Sequence, residues 1–77
     1  MIPSKSDGRW AKLVKGEVEH NFKSVPAGLM MSRMRRETQA NPDTSTLKRC
    51  IDEAYLFFEK YEPILSDDIT RIFGKEA

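Results

Sequence analysis

Between Pro42 and Pro63 the apolar residues recur at the spacing of a helix. At about 100° per residue, Leu47, Cys50, Ile51, Ala54, Phe57, Phe58 and Tyr61 fall on one stripe. Lys48, Arg49, Asp52, Glu53, Glu59 and Lys60 fill the other side, and Leu56 alone points into the charged face. The prolines bound the segment because neither can continue a helix, and each drives the residue before it towards extended backbone. Asp43, Thr44 and Ser45 are candidate caps. A helix over residues 45–62 follows, and the rest of the chain has to cover its stripe.

Two further helices are expected. Over residues 26–39, Pro26 suits a first turn, where its missing N–H costs nothing, and Ser24 is placed to cap. Ala27, Met30, Met31, Met34 and Thr38 share one face; Leu29, Arg33, Arg36 and Ala40 lie opposite, with Arg35 on a flank. A short helix over residues 67–73 has Ser66 as its expected cap and Asp67 and Asp68 in its first turn, where carboxylates complement the positive end. Gly74 is placed to stop it.

Residues 8–25 read two ways. Trp10, Val14, Val18 and Phe22 recur every four residues, which satisfies the alternation of a strand and, loosely, a helical stripe. An irregular helix weakened at Gly16 is preferred, because an isolated hairpin is marginal in water. The expected fold is therefore an all-α bundle of three to four helices over residues 8–77, behind a flexible tail of residues 1–7. The alternative is an α+β form with an N-terminal β-hairpin lying on the helices.

Composition narrows the function classes. A chain of 77 residues buries only roughly 60% of its unfolded surface, so its core is thin. One cysteine, Cys50, allows no internal disulfide and reads as intracellular. The longest uninterrupted apolar run, Ala54 to Phe58, is far shorter than the ~20 residues of a membrane span, and the start "MIPSKSDGRW" has no signal-peptide core. A cytoplasmic protein without membrane contact is expected. The formal charge of +1 conceals two halves of opposite sign: residues 1–36 hold eight Lys/Arg against three acids, residues 37–77 five against nine. The halves can satisfy each other within one chain or between two.

Chemistry-bearing patterns are sparse. Glu17, Glu19 and His20 lie close together, but a metal wants three or four convergent ligands, and there is no second histidine and only a distant Cys50. Cys50 sits mid-stripe, where a thiol is a small buried hydrophobe. Gly8, Gly16, Gly28 and Gly74 are scattered, so there is no phosphate-cradling loop. No catalytic residue, cofactor, metal or small-molecule substrate is expected, and the chain does not read as an enzyme.

What remains is surface. Leu29 and Leu56, each out of place on a polar face, have the makeup of a contact with an apolar centre and a charged rim of Arg33 and Arg36. Trp10 is a further candidate anchor, or else the lid of the core. The expected function is a small non-catalytic protein-interaction module, a homo-oligomer or an accessory subunit docked on a larger protein. The alternative is a nucleic-acid-binding regulator of helix-turn-helix type over residues 26–62, using Arg33, Arg35, Arg36, Lys48 and Arg49. Against it stand the long Pro42-containing connection and the acids Asp52, Glu53 and Glu59 on the helix that would approach the duplex.

Overall fold

The computed structural model of the chain describes residues 2–74. Four helices follow one another: α1 (Gly8–Lys15), α2 (Val25–Ala40), α3 (Thr44–Lys60) and α4 (Ser66–Phe73). The bundle is all-α, and no strand occurs among the described residues. The N-terminal region resolves as a two-turn helix followed by an irregular connection. The break is chemical. Gly16 takes a left-handed conformation at φ 83°, its N–H returning to the Leu13 carbonyl while Glu17 N–H returns to that of Lys12. This closure ends the helix at the one residue without a Cβ penalty for it.

The other ends follow side-chain chemistry. Asp7 caps α1 by accepting Arg9 N–H at 3.0 Å, Ser24 caps α2 through Ala27 N–H, and Asp43 caps α3 through Thr46 N–H at 2.7 Å. Helix α4 departs from expectation. Leu65 occupies the cap position without a side-chain bond, Ser66 is already helical, and Asp68 turns inward instead of towards its own helix end.

Helices α2 and α3 form an antiparallel pair, since Arg33 meets Glu53 while Glu37 meets Arg49. Helix α1 lies across both. Trp10, Leu13, Val14, Ala27, Met31, Met34, Cys50, Ala54 and Phe58 are sealed from solvent, with Met30, Leu47, Ile51 and Phe57 half-buried against them. Trp10 is the hub: its ring lies 5.5 Å from that of Phe58 and 4.9 Å from that of Phe73, which ties α4 to the core. The segment expected as a tail rests on the bundle. Ile2 packs on the core, the Pro3 carbonyl accepts the Trp10 indole N–H at 3.1 Å, and Lys5 reaches Asp52.

The radius of gyration, 11.5 Å, is the ~11.5 Å expected of a compact 77-residue domain. The accessible surface of 5015 Å² is close to the ~4,800 Å² of a folded monomer of 8.9 kDa. The thin core therefore closes on itself.

Candidate interaction face

The apolar residues α2 and α3 do not bury collect at one end of the pair. Because the helices are antiparallel, the start of α2 lies beside the end of α3. The large hydrophobics most exposed among the described residues are Val25, Leu29, Leu56, Tyr61 and Ile64, all from those two ends and the turn that follows. Leu29 is 68% exposed and Leu56 58%. At the same end an apolar groove of about 240 Å³ is walled by Pro26, Phe57, Tyr61, Ile64 and Leu65, while Val25 and Leu29 line a separate pocket with His20, Phe22 and Arg35.

Helical geometry relates the two leucines. Leu29 stands one turn before Arg33 in the row Leu29, Arg33, Glu37, and Leu56 stands one turn after Glu53. Arg33 and Glu53 meet at 3.5 Å, so both leucines lie at the same end of that pair. The fold thus places two leucines that stand out in the sequence towards the same end of the α2–α3 pair.

Four charges rim this face. Glu37 accepts from Arg49 at 3.0 Å, Arg49 also donates to Glu53 at 2.9 Å, and Arg33 reaches Glu37 at 3.7 Å. The Arg49 guanidinium holds the Glu37 carboxyl below its ordinary range, and Glu37 and Glu53 in turn raise Arg49. These groups are half exposed, where ion pairs contribute little to stability, so the cluster serves mainly to set the register of α2 against α3.

The remaining sequence candidates separate. Arg36 is exposed on the same outer face of α2. Lys48 is exposed at the far end of α3. Arg33 and Arg49 would have to leave their carboxylates to meet a phosphate. Arg35 turns away altogether: its Nε donates to the Leu13 carbonyl at 3.3 Å and its guanidinium lies 6.0 Å from the centre of the Phe22 ring. Five cations that the sequence offered as one nucleic-acid surface thus point to three different places. Trp10 is corrected as a partner anchor. It is wholly enclosed, and its one polar atom is spent on Pro3.

Sequence reasoning missed Val25, Ile64 and Asp68. Val25 and Ile64 sit in a first turn and a connection, where no periodicity marks a residue as misplaced. Asp68 is 1% exposed and accepts Lys23 N–H at 2.8 Å and Ser24 N–H at 2.9 Å, closing the start of α2 from another helix. His20, 5% exposed at its side chain, stacks edge-on to Phe22 and approaches Asp68 at 3.5 Å. Burial alone pushes the Asp68 carboxyl up, but the two backbone donors and His20 outweigh it and hold the group below its ordinary value. Among the described residues no three His, Cys, Asp or Glu side chains converge as a metal site, and no helix is long and apolar enough to cross a membrane. Comparison with protein-family models, curated proteins and solved structures finds no match.

Proposed function

We propose that the protein is a non-catalytic protein-interaction module, working as a homo-oligomer or as an accessory subunit docked on a larger protein. Its contact face is the shared end of α2 and α3, with Leu29 and Leu56 as anchors and Arg33 and Arg36 at the rim. The observation that supports this reading is the exposure of Val25, Leu29, Leu56, Tyr61 and Ile64 at the shared end of α2 and α3, where Tyr61 and Ile64 also wall an apolar groove. A lone exposed leucine is ordinary, because more than half of any protein surface is apolar. Five large hydrophobics at one end are not explained that way.

Magnitudes set the kind of contact. Fully burying one such side chain is worth roughly 1.5–3 kcal/mol. These five are partly covered already, so together they return on the order of 5–10 kcal/mol, against ~4–15 kcal/mol of lost freedom on association. The leucines alone leave a weak complex. Rim contacts have to supply the surplus, which suits Arg36, exposed and outside the ion-pair cluster, because an arginine can pair bidentately with a carboxylate.

The test compares wild type with Leu29→Asp and Leu56→Asp. Sedimentation across protein concentration reads self-association, and capture from nuclease-treated lysate reads a partner. The proposal expects one of the two to be present in wild type and lost in both variants, while thermal unfolding stays unchanged. Association or capture that is equal in all three proteins overturns it, and capture abolished by nuclease favours the nucleic-acid reading.

A further inference from the structure

On the other side of α2, away from the apolar groove, lies a polar cleft of about 580 Å³. The C-terminal end of α1, the connection after it, α2 and α4 each contribute a wall. Lys15, Arg35 and Arg71 bring three positive charges to it, and Glu19 is the only carboxylate among its lining residues.

We propose that this cleft binds an oxyanion of the phosphate class through Lys15, Arg35 and Arg71. The charge balance supports the sign. Among the described lining residues three cations face one carboxylate, so the lining is positive even against the negative end of α1, worth about half a charge. Arg35 is under-compensated in a specific way. One of its donors is spent on the Leu13 carbonyl, Nη2 is buried with no acceptor at all, and burial lowers its affinity for its proton. A nearby anion relieves that deficit through space, without needing to touch Nη2. Arg71 is exposed at the cleft and donates one N–H to the Asn21 carbonyl, which leaves its guanidinium further donors to spare.

The lining chemistry argues against apolar and cationic ligands. Apolar surface is scarce here, so a hydrophobic ligand has nothing to hold, and the grip must come from charge. The volume falls in the range of small-molecule sites, about 300–1,000 Å³, and far exceeds a bare ion. A phosphate carried on a small organic molecule fits better than the free ion. The cleft adjoins the docking face, since a neighbouring pocket holds Val25 and Leu29 together with His20, Asn21 and Arg35, but Lys15 and Arg71 lie outside that pocket, so variants there read the cleft alone.

The test is a titration of inorganic phosphate into the full chain at constant ionic strength, followed by amide and arginine side-chain NMR. Saturable shifts confined to residues 15–21, Arg35 and Arg71 are expected in wild type and in Lys60→Gln, whose exposed charge lies on α3 outside the cleft lining. Arg71→Gln should weaken binding about tenfold, the loss of one charge-assisted hydrogen bond. Lys15→Gln provides a second variant should Arg71→Gln fail to give a folded spectrum. Repeating the titration with a nucleoside monophosphate, expected to bind more tightly, tests for the organic group. Absence of saturable shifts, equal binding in the cleft variants, or shifts spread alike over Lys12, Lys23 and Lys48 would overturn the proposal.

Discussion

Asp68 Oδ2 accepts the backbone N–H of Ser24 at 2.9 Å across 44 residues of sequence. Ser24 is itself the cap of α2, so the carboxylate of one helix completes the cap of another. Two donors that water would otherwise have to reach are satisfied by one buried group, Oδ1 taking Lys23 N–H.

Asp68→Ala should therefore cost about 2–3 kcal/mol, because it leaves buried donors unpaired. For a domain of this size each kcal/mol moves Tm by about 4–8 °C, so a fall of roughly 10–20 °C is expected in thermal circular dichroism. Asp68→Asn keeps one carbonyl acceptor and should fall by less. A Tm within 2 °C of wild type for the alanine variant would remove Asp68 from the account of the fold.

Acid should find the same bond. Asp68, Asp7, Glu37 and Asp43 all have carboxyls held below their ordinary values in the folded state. Their contribution is complete above the unfolded carboxylate range, near pH 4, and is lost as pH falls through the lowered folded values. Tm should be flat from about pH 7 to 5 and drop below pH 4, with a shallower drop in Asp68→Asn. Parallel curves for the two proteins would contradict this assignment.

Gly16→Ala should destabilise by about 1–2 kcal/mol, since a Cβ is unfavourable at φ 83° and would sit 3.4 Å from Arg35 Cδ. Gly8→Ala, with open space around it, should not destabilise the domain and serves as the control. Chemical denaturation of the two proteins side by side measures the difference.

Cys50 should react with thiol reagents only as fast as the domain opens. Burial raises its pKa first, and the Glu37 carboxylate accepting from Sγ at 3.6 Å raises it further. Phe58→Ala, which removes roughly 3–5 kcal/mol of core packing, should accelerate labelling many-fold at pH 8. Rapid labelling of the native wild type would mean that the thiol is accessible in solution.

The helices were legible because their apolar positions repeat every three to four residues over long spans. Cys50, Ala54 and Phe58 on α3, and Ala27, Met31 and Met34 on α2, are both the predicted and the sealed faces. Residues 8–25 were legible in part: a spacing of four satisfies a strand and a helix alike, and the preferred reading, an irregular helix weakened at Gly16, matches α1 and its end at Gly16. Backbone conformation at Gly16 decides between them, and side-chain pattern does not report it. Leu29 and Leu56 could be singled out as misplaced, but their common end depends on the antiparallel pairing of α2 and α3. Asp68 read as a local cap because a first-turn aspartate usually is one, and no local pattern signals a contact 44 positions away.

That distant contact orders events during synthesis. Residues 23 and 24 emerge from the ribosome long before residue 68, and Trp10 emerges long before Phe73 covers it. Without α4, Lys23 and Ser24 lack the Asp68 acceptor and the Trp10 ring lacks its Phe73 neighbour, whereas the contacts of α2 with α3 join segments nearer in sequence. Closure over the central aromatic residues thus waits on α4, the last of the described helices to be made.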